Sequence, residues 1–586
     1  MTKTTLEMAS QPIPLLVLCL AFLGACGDEP EQAPTEEPVE LPTSIAVEAP
    51  TREIRDMAVV EDSSEAVANA MIEFSDKLRR RDFAAALAWL APGFAGHALA
   101  PLPLAEEVEL PLATTRRIYT VDFPPIVERH GFVESIRERI GPWENVENVL
   151  WKVKGADFQK GLPAWGRIRF KVSFLGTGSG GGPRSIVAWG HARAINDAGK
   201  WLLEAFELES FQELAREATL FTEVSTAVDL AHTGTRFGQP GNQSFAWNGA
   251  AAGDADGDGL IDIFVPAGEA NRLYMARGES GFRDEAEERG VAAPAGGTGA
   301  VFFDFDNDDD QDLALADVGW KEQSDQIGGN RLRLWVNDGE ARFSEEAERR
   351  GIQELSHGYS LTVFDVENDG FLDLFVCNYG RIDAQPNNSW IQATNGTSNQ
   401  LYHSLFDADG VRFEEVAEAR GLVDTAWTYA AAAADFDVDG DQDLYVANDY
   451  GVNQLWVNDG RGYFADQAAE LGVTDLGNGM GAAWGDLNGD GRLDLYVSNM
   501  SSTAGRRILS RLVQKDDERW QSLAKLAAGN TIFFATDKGF ELVPSEKGGV
   551  GGSWAWSPVL FDLDLDGRLD VYCCNGFVTG NTPADT

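Results

Sequence analysis

Hydrophobic positions along the chain change their period twice. Val67, Met71, Phe74 and Leu78 recur at steps of three and four, which puts them on one face of a helix. The stretch "DSSE" at Asp62–Glu65 has capping-box spacing and predicts a helix start there, and Asp82 is placed to cap a second helix carrying Phe83, Leu87 and Leu90. Further on the period falls to two. Ile168, Phe170, Val172 and Phe174 alternate with polar residues, and similar runs lie near 146–153, 186–195 and 201–208. Helices followed by an antiparallel sheet predict an α+β domain over 61–215. "GTGSGGG" at 176–182 contains a GxGxxG match, but a proline and another strand follow instead of a helix, so it reads as a hairpin loop.

From about residue 219 the pattern repeats. Phe282, Phe343, Phe413, Phe464 and Phe540 each open a related segment ("FRDEAEERGV", "FSEEAERRGI", "FEEVAEARGL", "FADQAAELGV", "FELVPSEKGG"). Each lies 22 residues before an acidic loop, whereas the return distance from loop to next phenylalanine ranges from 28 to 54. "FTEVSTAVDL" at Phe221 begins a longer first interval of 33 residues. A fixed core with variable connections marks stacked supersecondary units. Each unit offers four short strands; in the fourth these are "AAAAADF", "DLYVAND", "NQLWVND" and "GYFADQA". Radially repeated, four-stranded units predict a mainly β chain whose second part, 219–586, is a β-propeller of six blades, or seven with one irregular.

The acidic loops carry the candidate chemistry. In "DADGDGLID" the side chains of Asp254, Asp256, Asp258 and Asp262 stand at positions one, three, five and nine, with the carbonyl of Leu260 at seven. A glycine at position six allows the turn that aims these oxygens at one centre, and hard oxygen donors in that number select Ca²⁺. Five more loops follow the same register. They are Asp304, Asp306, Asp308, Asp310 and Asp312; Asp365, Glu367, Asp369, Phe371 and Asp373; Asp435, Asp437, Asp439, Asp441 and Asp443; Asp486, Asn488, Asp490, Arg492 and Asp494; and Asp562, Asp564, Asp566, Arg568 and Asp570. An EF-hand would need a glutamate at position twelve, where Val265, Leu315 and Val376 stand, and helices on both sides. Asp309 replaces the turn glycine in the second loop and is expected to strain it or shift its ligands, and neutral Asn488 should weaken the fifth. About five or six calcium ions are expected, holding each hairpin shut.

These loops, with the preceding phenylalanine segments and the following "DLYVAN"-type strands, resemble the FG-GAP (VCBS) repeat of the integrin α-subunit propeller. The form "GMGAAWGDLNGDGRLDLYVSNM" is similar to the cartilage acidic protein/UnbV family. The resemblance spans about 219–580 and implies a calcium-stabilised propeller that acts as an interaction module. The earlier domain loosely resembles the cone-shaped nuclear-transport-factor-2-like fold.

The formal net charge of -47 excludes nucleic acid as a partner, since phosphate binding needs a basic face, and makes cations the expected ones. The apolar run 13–25 is too short to span a bilayer and sits where a signal peptide belongs. It ends in Leu23, Gly24, Ala25 and Cys26, which resembles a bacterial lipobox with Cys26 as the lipidated residue. Gly27 after it points by resemblance to the outer membrane. Residues 27–60 are acidic and proline-rich, a linker composition. Cys377, Cys573 and Cys574 form no even framework; Cys377 and Cys574 each precede an asparagine in register with Ala447 and Ser498, which reads as a small-residue packing slot.

Six histidines, His97, His130, His191, His232, His357 and His403, show no metal or triad spacing. One basic amphipathic stretch, 501–529, carries Arg506, Arg507, Arg511, Lys515, Arg519 and Lys525 beside Ile508, Leu512, Trp520, Leu523 and Leu526. It reads as a helix over the acidic propeller or as a docking site. The functional expectation is a non-enzymatic, lipid-anchored surface module for an extracellular or periplasmic protein or glycan, touching the membrane only through its lipid. The other reading is a propeller enzyme, or accessory subunit, acting on polysaccharide, which requires a pocket of paired carboxylates or histidine at the propeller mouth.

Overall fold

The computed structural model describes residues 45, 47–48 and 57–576, apart from 160–163, 231–248, 268–269, 295, 322–325, 382–386, 390, 409, 502–522 and 545–553. The apolar run 13–25, Cys26, most of the linker and most of 501–529 lie outside the described residues.

The first helix runs Met57–Arg79, so it begins ahead of the predicted start at Asp62 and takes in residues 57–60 expected to be linker. "DSSE" is helix interior: the Ser64 hydroxyl donates to the Val60 carbonyl one turn back at 2.7 Å instead of capping an end. The predicted apolar face holds, with Val67, Met71, Phe74 and Leu78 all buried. Asp82 does cap, accepting from the Ala85 amide at 3.1 Å, but the helix it starts is one turn, Phe83–Ala86.

Four long strands, Trp143–Phe158, Trp165–Gly178, Pro183–Asp197 and Lys200–Arg216, pair antiparallel in chain order within an eight-stranded sheet. "GTGSGGG" is the hairpin between the second and third, turning through Gly181 at φ +79°. Sheet and helices close on aromatic packing: Trp151 lies with ring centroids 5.5 Å from Phe74, 6.3 Å from Phe132, 5.6 Å from Phe170 and 5.2 Å from Phe206. A further helix, Arg129–Ile140, and the four strands before it, Leu90–His97, Leu104–Leu110, Thr114–Tyr119 and Ile126–Glu128, complete this domain. Its buried Phe132, Val133, Ile136 and Ile140 carry helical spacing that the sequence reading passed over.

Among the described residues the repeat region forms five four-stranded antiparallel sheets, a short pair, Trp320–Lys321 with Gln326–Ile327, and a final two-stranded sheet, Ala555–Phe561 with Asp570–Asn575. In the fourth the strands are Trp427–Ala434, Asp443–Tyr450, Gln454–Asn458 and Phe464–Asp466, paired in that order, as the repeat pattern predicts. Every acidic loop joins the first strand of a sheet to the second, and each first strand lies beside the first strand of the next sheet.

One hydrogen bond recurs between successive sheets. The amide of the phenylalanine in the outer segment donates to a carbonyl in the segment before it: Phe343 to Arg289 at 2.9 Å, Phe413 to Arg350 at 2.6 Å and Phe464 to Arg420 at 2.8 Å. Phe282 in the first sheet donates to Val228 at 2.8 Å. The segment opened by Phe221 therefore stands in front of the first sheet as an outer segment would. Its Phe221 ring meets Tyr572 of the last sheet at 6.5 Å.

Cys377 lies in the apolar packing between the third and fourth sheets, where burial pushes its thiol up to about 12, so the packing-slot reading holds for it. Cys574 departs from that reading: among the described residues it is exposed, on a sheet of two strands.

Candidate metal centre

The six loops share one hydrogen-bonding frame. The carboxylate at position one accepts the amides of positions five and six: Asp254 takes Asp258 at 3.0 Å and Gly259 at 2.9 Å, and Asp562 takes Asp566 at 3.0 Å and Gly567 at 2.8 Å. Asp304, Asp365, Asp435 and Asp486 do the same in theirs. Position five then accepts the amide of position seven, as Asp258 does from Leu260 at 2.9 Å. The chain is thereby wound so that the carboxylates face inward.

Asp309 does not shift this frame. It adopts φ +70° in place of the glycine, and its amide still donates to Asp304 at 3.1 Å. The cost is left-handed backbone on a residue with a Cβ, which aspartate tolerates better than most. Position four was missed from sequence: Asn307, Asn368, Val438 and Leu565 all have positive φ, and Val438 and Leu565 are 79% and 88% exposed. A branched or bulky residue held left-handed at an exposed tip is strain retained for the arrangement of the loop.

Position nine serves two tasks. In the first five loops it opens the second strand and is buried, with one oxygen bound at the third strand: Asp262 accepts from Ala276 at 2.7 Å, Asp312 from Asn337 at 2.9 Å, Asp443 from Asn458 at 2.9 Å and Asp494 from Ala535 at 2.8 Å. Its other oxygen takes the amide of position two, as Asp262 does from Ala255 at 3.0 Å. Asp443 departs from this, its second oxygen being buried without a partner.

Oxygen atoms of Asp254, Asp256 and Asp262; of Asp304, Asp306 and Asp308; of Asp435, Asp437 and Asp439; and of Asp562, Asp564 and Asp566 lie within 4.8 Å of one another in each group. Buried oxygens of Asp256, Asp306, Asp310, Glu367, Asp441 and Asp443 accept no hydrogen bond. An orphaned buried carboxylate oxygen is costly unless a cation reaches it. Burial and the neighbouring acids push Asp310 up to about 6 and Asp312 to about 8 in the second loop, and Asp441 to about 6 and Asp443 to about 7 in the fourth. The donor set is hard oxygen, crowded and short of positive charge, and it fits Ca²⁺.

Internal cations were also missed. Arg289 approaches Asp256 at 3.6 Å, Arg350 approaches Asp306 at 3.6 Å and Arg420 approaches Glu367 at 3.3 Å, so position three of the first three loops meets an arginine. The signal was present in the "RG" of the first three outer segments, where the fourth has Leu471. In the fifth loop Arg492 folds back on Asp490 at 2.9 Å and holds its carboxyl below the usual range, while Asn488 supplies a neutral oxygen.

Where the first strands converge, aromatics fill the space. Tyr359, Tyr379, Trp427 and Tyr429 are buried together, and Tyr429 meets Trp556 of the sixth sheet at 5.4 Å. The fourth and sixth sheets are not neighbours, so this contact spans the inside of the array. A cavity of about 420 Å³ lies off the first loop, lined by Asp256, Asp258, Glu285, Arg289 and their neighbours.

A family model described as FG-GAP-like repeat matches residues 254–315 and 435–497. The chain carries FG-GAP-like repeats. Among characterised proteins it is similar to cartilage acidic protein 1 of Xenopus tropicalis, 26% identical over 212 residues that make up 34% of this chain and 30% of that protein. It is also similar to cartilage acidic protein 1 of Homo sapiens, 25% identical over 337 residues, 55% of this chain and 46% of that one. The chain thus spans less than half the length of these two relatives. An Agrocybe aegerita lectin structure, described as recognising non-reducing terminal N-acetylglucosamine, aligns at 15% identity and TM-score 0.33 over 66% of this chain and 83% of its own.

Proposed function

We propose that the repeat region closes as a six-bladed propeller whose acidic loops take Ca²⁺, and that the protein is a non-enzymatic interaction module for a protein or glycan. The observation that carries this reading is the common frame of the six loops, with converging carboxylates and orphaned oxygens in four of them. Closure is favoured by the segment at Phe221, which bonds to the first sheet and packs on the last, and by the contact of Tyr429 with Trp556 across the interior. Calcium then holds the first hairpin of each blade shut. The aromatic filling at the convergence of the strands leaves interaction to the rims and outer loops. The first domain is read as nuclear-transport-factor-2-like, its interior filled around Trp151. Export and anchoring through a lipid on Cys26 at the bacterial outer membrane belong to the same proposal and rest on the N-terminal sequence alone.

The test is calcium titration of the full chain, with bound metal counted and melting followed. Five or six ions and a large rise in melting temperature support the reading. No bound calcium and no shift would reduce the loops to solvated turns.

A further inference from the structure

The third loop differs from the others in carrying a nitrogen donor. At the place in the third strand where the other sheets have Met275, Val336, Val457 and Phe534, this one has His403. Its ring stands between two carboxylates, with Nδ1 2.9 Å from Asp373 Oδ1 and Nε2 3.1 Å from Glu367 Oε1. Glu367, Asp373 and His403 offer donor atoms within 4.8 Å of one another.

Asp373 is buried, and the same oxygen accepts the Ser404 amide at 2.7 Å, so it is fixed as an acceptor. The Nδ1–H points to it, which settles the tautomer and leaves Nε2 facing Glu367. Two lone pairs do not approach to that distance unless something positive lies between them. A proton satisfies this, and so does a metal: donors ~2.0–2.1 Å from one ion stand about 3.0–3.4 Å apart. The second oxygen of Glu367 is buried and accepts no hydrogen bond, so the carboxylate has a donor to spare although Arg420 touches the first.

We propose that the third loop is a mixed nitrogen–oxygen site for a first-row divalent metal such as Zn²⁺, with His403 Nε2 and Glu367 as ligands and Asp373 as the outer-shell carboxylate that orients the ring. This deepens the reading of the loops as metal sites, from which it takes the loop frame. Imidazole is a poor ligand for Ca²⁺ and a good one for zinc, cobalt or nickel. A carboxylate on the far ring nitrogen is the usual support of such a ligand. The longer Glu367 in place of aspartate reaches across to the third strand, where, among the five described third strands, this one has an imidazole to meet it.

The experiment is titration of the calcium-saturated full chain with Co²⁺ as a spectroscopic probe, followed by Zn²⁺ displacement. One equivalent of Co²⁺ is expected, with visible bands of nitrogen–oxygen ligation that Zn²⁺ abolishes. In His403→Val, which restores the residue of two sister sheets, the bands vanish while bound calcium changes by at most one ion and the melting transition stays cooperative. Glu367→Gln weakens cobalt at least tenfold. Cobalt bound equally by wild type and His403→Val, or not bound by wild type, overturns the proposal. Calcium bound nowhere while cobalt binds through His403 would sink the calcium reading and leave this one standing.

Discussion

Asp443 gives the most direct test of the balance between charge and cation, through the substitution Asp443→Asn. This carboxylate is buried, one oxygen accepts the Asn458 amide at 2.9 Å, and the other has no partner. Burial first, and then Asp437, Asp441 and Asp439, push it up to about 7. Relative to an ordinary aspartate near ~3.9 the displacement is about three pH steps, a ceiling of about 4 kcal/mol of charge stored unfavourably at pH 8 in metal-free protein. Relaxation and water entry cut such figures to roughly half, about 2 kcal/mol. Asparagine keeps the oxygen for Asn458, and its amide group donates among acids. The metal-free variant should therefore melt above wild type, by about 2–3 °C at pH 8 on the usual unfolding entropy per residue for a region as large as 219–586. In saturating calcium the order reverses, because the fourth loop has lost an anionic donor, and one fewer ion is bound. Calorimetry in chelator and in calcium reads both signs. A variant that melts below wild type in chelator would refute the claim that the loops store charge in wait for a cation.

Asp310, Asp312, Asp441 and Asp443 are all raised, so folding takes up protons. Their contribution to metal-free stability should be greatest below about pH 4 and be lost as pH rises from there to about 6 to 8, and calcium should flatten the dependence; equal melting at pH 5 and pH 8 in chelator would contradict this. Asn488→Asp restores a charged donor to the fifth loop and should tighten its calcium binding in a titration resolved by site. Val438→Gly removes a branched side chain from φ +62° and should stabilise the calcium-bound form by up to about 1 kcal/mol in denaturant melts, a gain tempered by glycine's unfolded-state entropy. Trp151→Ala empties the centre of the first domain and should cost about 3–5 kcal/mol there, by hydrogen exchange in its long strands, with no change in bound calcium.

Much of this was legible because it is periodic. The spacing from phenylalanine to loop located the four-stranded sheets, and the alternation at Ile168–Phe174 located a long strand whose inward residues are buried. Periodicity does not mark a helix start: "DSSE" at Asp62 has cap spacing but lies a turn inside the first helix, where Ser64 bonds backward. Nor does it show contacts between elements. The arginines on Asp256, Asp306 and Glu367 come from segments about 33 to 53 residues away in sequence, and His403 comes from the third strand, so neither shows in the spacing of a loop. The left-handed residues at position four were hidden for another reason. Glycine and asparagine fill it in four loops, but Val438 and Leu565 break the rule that would have exposed it.

The arginines also order the loops by their need for metal. Asp256, Asp306 and Glu367 each have a guanidinium nearby, and the fifth loop has replaced one acid by Asn488 and paired Asp490 with Arg492. The fourth loop has neither relief: the residue matching those arginines is Leu471, and Asp437 is itself raised by burial and by Asp439. Its sheet also sits at the middle of the packing, with Tyr429 on the inner cluster and Phe436 stacked on Trp484 of the next sheet. A loop that cannot neutralise itself, at the root of a strand on which two neighbours pack, transmits loss of its cation to both. Removal of metal should therefore open the array from the fourth sheet, and from the second, where Arg350 leaves Asp310 and Asp312 raised to about 6 and about 8, while the first loop, part-neutralised from within, holds longer.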